Sequence, residues 1–180
     1  MSDHGTVIGP RAVRFERMLP GPIERVWAYL TEPDKRATWF AGGEMELRVG
    51  GRVAFRFHHA DFAPPDEPVP ERFEKYRDAV IDSPGVVTRC EAPRLLVFEW
   101  GEEDGSSSEV TFELEPVGER ARLVLTHRRL ADRAAMIGVS GGWHGHLAVL
   151  ADVLAEGRAC AFWSVIDRAE ADYEKRYPME

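Results

Sequence analysis

The sequence has 180 residues, of which 31 are acidic and 23 are basic, giving a formal net charge of -8 with neutral histidines. With 44% hydrophobic and 30% charged residues, its composition is typical of a soluble globular protein with a substantial core. The acidic balance argues against binding to nucleic acid or to anionic lipid surfaces, which needs clustered Lys and Arg. We therefore expect a single domain over 1–180 that binds no nucleic acid.

Cysteine usage and the absence of apolar runs define the expected compartment. Cys90 and Cys160 lie in no CxxC motif or Cys/His cluster, which predicts two buried free thiols and neither a disulfide framework nor a zinc site. The first residues contain no apolar signal-peptide region, and the most apolar later run, 147–155, is interrupted by Asp152. We expect a cytoplasmic protein with no membrane insertion.

The amino-terminal part predicts a strand followed by two short helices. Apolar residues alternate with charged ones over 11–19, which is typical of a strand. After a Pro-Gly-Pro break, apolar residues at helical spacing predict an amphipathic helix over 23–30. A second helical turn then delivers Trp39 and Phe40.

A β-hairpin is the clearest pattern that follows. Apolar residues alternate over 45–49 and again over 53–57, on either side of the pair Gly50-Gly51. Because glycine adopts positive φ angles readily, this pair suits a two-residue turn. We expect two antiparallel strands joined at these glycines.

A proline-rich insertion separates the hairpin from a series of short strands. Four prolines and many charges over 60–78 predict an exposed loop with a helical turn near 71–76. Alternating segments then predict an antiparallel meander of four strands, over 86–91, 95–100, 109–115 and 121–127.

The final third of the sequence changes to helical spacing. Apolar residues from Trp143 to Leu154 share one face of a long helix that Gly157 interrupts, and the preceding glycine pair is interpreted as turn and cap. A second helical stretch covers 158–177. The order of elements indicates an α+β fold.

No catalytic or metal-binding template matches the sequence. There is no GxSxG elbow, HExxH motif, P-loop or GxGxxG after a strand. His144 and His146 would point about 200° apart on a helix and so cannot chelate one ion. We interpret His58 and His59 as a solvated strand end and His127 as a hydrogen-bonded core histidine. No catalytic residue, metal or cofactor is predicted.

Aromatic residues are more numerous on the inward faces than a small core requires. They form either an aromatic core or the wall of an apolar pocket between the sheet and the long helix. The predicted pocket residues are Trp39, Phe40, Phe55, Phe57, Phe98, Trp100, Trp143 and Leu147. Arg56, His127 and His144 are candidate polar anchors for a small apolar or amphipathic molecule.

Five segments in this order resemble a known family. They are VWAYLTEPDKRATWF, LRVGGRVAFRF, CEAPRLLVFEW, SEVTFELEPVGERARLVLTH and GGWHGHLAVLADVL. They are similar to the homologues of the activator of the heat-shock protein 90 ATPase, in the START-like (SRPBCC) superfamily, over about 11–154. The resemblance implies a helix-grip fold: a curved antiparallel sheet wraps a long carboxy-terminal helix, with two short helices. The core is expected at about 11–157.

The resemblance leaves three functions open. The first is noncatalytic binding of a small hydrophobic molecule between the sheet and the long helix. The second is a cochaperone-like module that contacts the heat-shock protein 90 ATPase. The third is a cyclase-like or hydrolase-like enzyme, in which His127, His144 or an Arg-Glu pair would act as acid or base.

Two regions depart from the family pattern. The insertion 60–78 is expected to cap or reshape the mouth of the pocket. The extension 158–177 is expected either to cover the sheet or to form a homodimer. The side chains considered for that dimer are Phe162, Trp163, Ile166 and Tyr173.

Overall fold

The structure is a computed structural model that describes residues 3–101 and 106–178. Its strands are β1 (Thr6–Gly9), β2 (Ala12–Pro20), β3 (Arg52–His58), β4 (Val80–Glu91), β5 (Leu95–Trp100), β6 (Ser108–Val117) and β7 (Arg120–Arg128). Its α-helices are α1 (Ile23–Thr31), α2 (Pro33–Arg36), α3 (Glu74–Arg77), α4 (Arg133–Glu156) and α5 (Trp163–Arg176). Part of the turn predicted between β5 and β6 lies outside the described residues.

The strands form one antiparallel sheet in the order β1-β2-β7-β6-β5-β4-β3. The four strands of the predicted meander are neighbours in chain order, as expected for strands that short connections join. Strand β2 closes the meander on the other side by pairing with β7, where Phe15 lies opposite Leu125. The predicted α+β helix-grip fold is therefore confirmed.

The long helix α4 packs across the sheet and forms the centre of the core. The indole ring of Trp143 lies 5.9 Å, between centroids, from the rings of Trp100 on β5 and Phe112 on β6. Leu147 and Leu150 are fully buried on the same helix. Each such side chain contributes about 1.5–3 kcal/mol on burial, so α4 holds the sheet by its apolar face. In the described part of the chain, no helix is long and apolar enough to cross a membrane.

Helix α4 begins at Arg133, earlier than the sequence pattern predicts. The carboxylate of Asp132 caps it by accepting a hydrogen bond from the backbone N–H of Ala135 at 2.8 Å. The pair Gly141-Gly142 therefore lies within the helix, and its interpretation as turn and cap is wrong. Glycine costs a helix about 1 kcal/mol relative to alanine, and the packing of α4 against its neighbours outweighs that cost.

Helix α5 packs mainly on α4. It follows Gly157, whose left-handed φ of 78° ends α4 at the predicted place. Close approach depends on Gly145, where a methyl group would lie 2.5 Å from Cγ1 of Ile166. The side chains considered for a homodimer are all buried within the chain, namely Phe162, Trp163, Ile166 and Tyr173. They are therefore not available as a dimer surface in this fold.

The segment 45–49 does not form a strand, so the predicted hairpin is wrong in its first half. The segment contacts β3 through an isolated bridge between Met45 and Val53, while β3 pairs along its length with β4. The carboxylate of Glu46 accepts a hydrogen bond from the backbone N–H of Arg52 at 2.7 Å. Such local bonds compete with a strand ladder, and here the chain coils before β3.

The prediction of two buried thiols is also wrong. Both cysteines are free, but Cys90 on β4 is only half-buried and Cys160 is exposed between α4 and α5. The carboxylate of Asp152 accepts a hydrogen bond from the backbone N–H of Cys160 at 2.8 Å. This bond holds the connection between α4 and α5 at the surface of the protein.

Candidate ligand-binding cavity

A cavity of about 340 Å³ lies between strands β3 to β5 and helices α4 and α5. Half of its lining residues are aromatic, namely Phe40, Phe57, Phe73, Tyr76, Trp100, Trp143, Phe162 and Trp163. The other lining residues are His59, Ile81, Gly138, Val139, Gly142, His146, Ile166 and Glu170. Ligand pockets occupy roughly 300–1,000 Å³, so the cavity has room for one small molecule.

Charged side chains line other depressions of the described surface. A depression of about 450 Å³ on the sheet, for example, is bordered by Arg94, Glu113 and Arg122. Desolvating such charges opposes the burial of an apolar molecule. The aromatic cavity is therefore the depression that suits an apolar ligand.

Two glycines of α4 provide space in the cavity. Gly138 and Gly142 lie one helical turn apart on its wall, and a methyl group added at either would meet no atom within 4 Å. Gly141 and Gly145 face α5 instead, and a methyl group at Gly141 would lie 2.3 Å from Cγ of Glu170. Gly141 and Gly145 thus let α5 approach, whereas Gly138 and Gly142 add no side chain to the cavity.

Phe40 reaches the cavity from a loop that Arg36 holds in place. The Arg36 guanidinium is buried and donates hydrogen bonds to the backbone oxygens of Thr31 and Ala41, each at 2.9 Å. Burial lowers the pKa of Arg36 to about 10, so the side chain remains charged at neutral pH. The ring of Phe40 stacks on Trp143 with centroids 5.0 Å apart.

The insertion and the carboxy-terminal helix together form the outer wall. The carboxylate of Glu67 caps α5 by accepting hydrogen bonds from the backbone N–H groups of Phe162, at 2.8 Å, and Ser164, at 2.9 Å. Arg72 pairs with Asp167 at 2.8 Å and also with Glu170. These contacts anchor the segment that places Phe73 and Tyr76 on the cavity wall.

His146 and His59 place imidazole rings on the wall, with centroids 6.0 Å apart. Nδ1 of His146 lies 2.8 Å from the backbone oxygen of Trp39, and Nδ1 of His59 lies 3.2 Å from that of Tyr76. Because a carbonyl oxygen only accepts, both Nδ1 atoms carry a proton and each neutral ring has an acceptor at Nε2. Burial, aided by His59, lowers the pKa of His146 to about 3, and burial also lowers the pKa of His59.

His127 lies behind the aromatic wall as a fully hydrogen-bonded core histidine. Nε1–H of Trp143 donates to its Nδ1 at 3.0 Å, so its proton is on Nε2, which donates to Oγ of Ser108 at 2.7 Å. Burial lowers the pKa of His127 to about 4. Both ring nitrogens are therefore occupied within the protein.

His144 faces away from the cavity. Its Nδ1 lies 2.9 Å from the hydroxyl of Tyr173, and burial, followed by the charge of Arg17, lowers its pKa to about 4. With Leu147 it lines a separate depression on the other side of α4. Arg56 is exposed on β3 and pairs with Asp82 at 3.5 Å. The described residues contain no group of three or more His, Cys, Asp or Glu placed to hold a metal ion.

The structure brings together part of the predicted site. Phe40, Phe57, Trp100 and Trp143 share the cavity wall, whereas Trp39, Phe55 and Phe98 are buried in the core beside it. His59 lies half-buried on the wall and is not a solvated strand end.

The sequence predicts that the insertion caps or reshapes the mouth of the pocket, but it identifies neither Phe73 and Tyr76 nor α5 as part of the wall. Phe73 and Tyr76 are aromatic residues at helical spacing in a charged segment, and this signal predicts a helical turn with one packed face. For Phe162, Trp163 and Ile166 the sequence indicates only a candidate dimer surface. No local pattern distinguishes His146 from His144, because α4 is covered on both sides.

Comparisons with known proteins agree on one family and one fold. Residues 20–155 match the family model described as Activator of Hsp90 ATPase homolog 1-like protein. No curated protein matches the sequence.

Solved structures match along most of the chain. The protein encoded by gene BPP1335 from Bordetella parapertussis is 49% identical, with a TM-score of 0.80, over 99% of this chain and 93% of that one. CalU16 from Micromonospora echinospora is 21% identical, with a TM-score of 0.66, over 96% and 93%. The Aha1 dimer from Colwellia psychrerythraea is 16% identical, with a TM-score of 0.58, over 81% and 97%. At such low identity, the last two carry information on the fold alone.

Proposed function

The chain belongs to the family of Activator of Hsp90 ATPase homolog 1-like proteins, and from this premise we propose that it binds a small apolar or amphipathic molecule noncatalytically in the aromatic cavity. The observation that carries the proposal is the combination of a ring-lined wall with open space at Gly138 and Gly142. Phe40, Phe57 and Trp100 are proposed as ligand contacts.

The size of the cavity limits the expected affinity. Burying a ligand of about ten carbons contributes roughly 8 kcal/mol, and association costs remove several kcal/mol of this. We therefore expect a Kd between about a hundred micromolar and a few millimolar. His127 offers no free ring nitrogen to act as acid or base, because both of its ring nitrogens hydrogen-bond within the core.

Filling the cavity from α4 tests the proposal. Gly142→Leu places an apolar side chain in the open space, so the fluorescent probe N-phenyl-naphthylamine should bind the wild type and bind the variant at least about tenfold more weakly. Titration followed by the emission of the probe measures both affinities. Wild-type protein that fails to bind this neutral apolar probe would overturn the proposal.

A matched change on the opposite side of the helix provides the control. Ala148 lines the separate depression that contains His144, so Ala148→Leu adds the same side chain outside the cavity. Its affinity for the probe should equal that of the wild type. Equal weakening in both variants would contradict the cavity as the probe site, because only Gly142→Leu fills it.

Contact with a chaperone and self-association are separate proposals. The family description names the Hsp90 ATPase, and the Colwellia relative is described as a dimer. Light scattering of the purified chain tests self-association. An assay of chaperone ATPase rate tests the contact, and Gly142→Leu should not alter that rate if the contact uses the exterior.

A further inference from the structure

We propose that the cavity selects neutral aromatic molecules that carry a hydroxyl group, and that this hydroxyl donates a hydrogen bond to Nε2 of His146. The inference rests on the proposed function, because it names the ligand class of the same cavity.

The acceptor is an unpartnered atom of a buried side chain. His146 is only 7% exposed, and its Nδ1–H is already used by the backbone oxygen of Trp39. Nε2 has no hydrogen-bond partner among the described residues, although every fully enclosed side-chain nitrogen or oxygen there has one. Nε2 therefore borders open space, and the open space beside His146 is the cavity. A ligand that fills the cavity and shields this acceptor from water is therefore favoured when it supplies a donor.

A second acceptor lies nearer the rim. His59 has the same tautomer as His146, since its Nδ1–H is directed at the backbone oxygen of Tyr76. Its Nε2 likewise has no partner within the described part of the chain. The half-buried ring of His59 could receive a further hydroxyl of the same ligand.

The charge of the wall selects against an anionic ligand. None of the lining residues in the described chain is Lys or Arg, and the ionisable acid among them is Glu170. A bound carboxylate would lose its hydration without gaining a free counter-ion, because Arg72, which borders Glu170, is already paired with Glu170 and Asp167. Neutral molecules are therefore favoured over fatty acids of the same size.

The rings of the wall favour a flat ligand. Trp100 stacks on Phe57 with an interplanar angle of 15°, and Phe40 stacks on Trp143 at 21°. A planar aromatic molecule can extend such stacks or meet the ring edges, whereas a flexible chain would lose more conformational freedom. Together with the two acceptors, this points to a phenol or naphthol skeleton.

Three naphthalene derivatives of similar size test the inference by calorimetry at neutral pH. β-Naphthol offers a donor, its methyl ether has none, and β-naphthoate carries a negative charge. We expect β-naphthol to bind about threefold to tenfold more tightly than the ether, as one net hydrogen bond allows, and more tightly than the naphthoate. In His146→Phe the preference over the ether should disappear, whereas His144→Phe, outside the cavity, should keep it.

A measurement on the unmodified protein covers the case in which His146→Phe does not fold. The ¹⁵N resonance of His146 Nε2 should shift on addition of β-naphthol and remain in place with the ether. Equal affinities for naphthol and ether, or an unmoved resonance with bound naphthol, would overturn the inference. If N-phenyl-naphthylamine binds in that case, the proposed function stands alone; if no probe binds, both fail.

Discussion

The position of Phe40 on the cavity wall depends on Arg36. It is 1% exposed, and the hydrogen bonds of its buried guanidinium are accepted by backbone oxygens. Its guanidinium also lies 5.2 Å from the ring centroid of Phe55. The sequence pattern predicts an arginine at the surface of a short helix. The carbonyl groups that accept its hydrogen bonds come together only in the folded loop.

Arg36→Met should lower the free energy of unfolding by about 3 kcal/mol, since it retains the apolar stem but leaves buried carbonyls without donors. Urea denaturation followed by tryptophan fluorescence measures this loss. The control is Arg48→Met, because the Arg48 side chain is 65% exposed and its removal should cost less than about 0.5 kcal/mol. Similar losses in the two variants would contradict the role of Arg36.

His127 makes stability depend on pH. Its pKa is about 4 in the folded state and about 6.5 when unfolded, so between these values the unfolded state binds more protons. Its contribution is present above about pH 6.5 and is lost as the pH falls toward 4. The loss is at most about 1.4 kcal/mol per pH unit.

Urea midpoints at several pH values measure this dependence. His127→Gln preserves an acceptor for Trp143 and a donor for Ser108 but does not titrate, so its stability should fall less steeply over the same pH window. The difference between the two proteins isolates His127 from the acids that also titrate. Parallel curves would contradict a neutral, buried His127.

At the scale of elements, α4 combines two functions through its glycines. Gly141 and Gly145 let α5 approach, whereas Gly138 and Gly142 leave space in the cavity. The insertion then joins α5 through Glu67 and Arg72, although nearly a hundred residues separate the partners in sequence. The insertion and α5 therefore support each other in forming the outer wall.

Glu67→Ala should loosen the start of α5, because it removes a charged cap from backbone N–H groups that have no helical partner. We expect a loss of about 1–2 kcal/mol and faster hydrogen exchange in 162–166. Mass spectrometry of exchanged peptides measures this. Glu71→Ala, an exposed change in the same insertion, is the control, and equal exchange in both variants would contradict the cap.

At the scale of the whole molecule, the cavity is assembled from segments that are distant in sequence. Phe40 comes from the loop after α2, Trp100 from β5, Trp143 from α4 and Phe162 from the start of α5. The two regions that depart from the expected family pattern supply its outer wall. The mouth of the cavity is therefore the part that relatives of different insertion length would change.

Sequence alone determined the elements whose signal is local. The strand over 95–100 and the rest of the meander follow from the alternation of apolar and polar residues. The end of α4 follows from Gly157, which tolerates a positive φ. Motif order determined the family and the helix-grip fold. The strands and the end of α4 depend on residues close to one another in the chain, whereas the family follows from the order of segments along it.

Only the tertiary structure decided which rings border empty space and which pack in the core. Phe55 and Phe57 follow the same strand pattern, yet Phe55 is enclosed and Phe57 lines the cavity. On α4, His146 lines the cavity, whereas His144 lines a separate depression. Burial depends on what arrives from elsewhere in the chain, and neither helical nor strand periodicity contains that information.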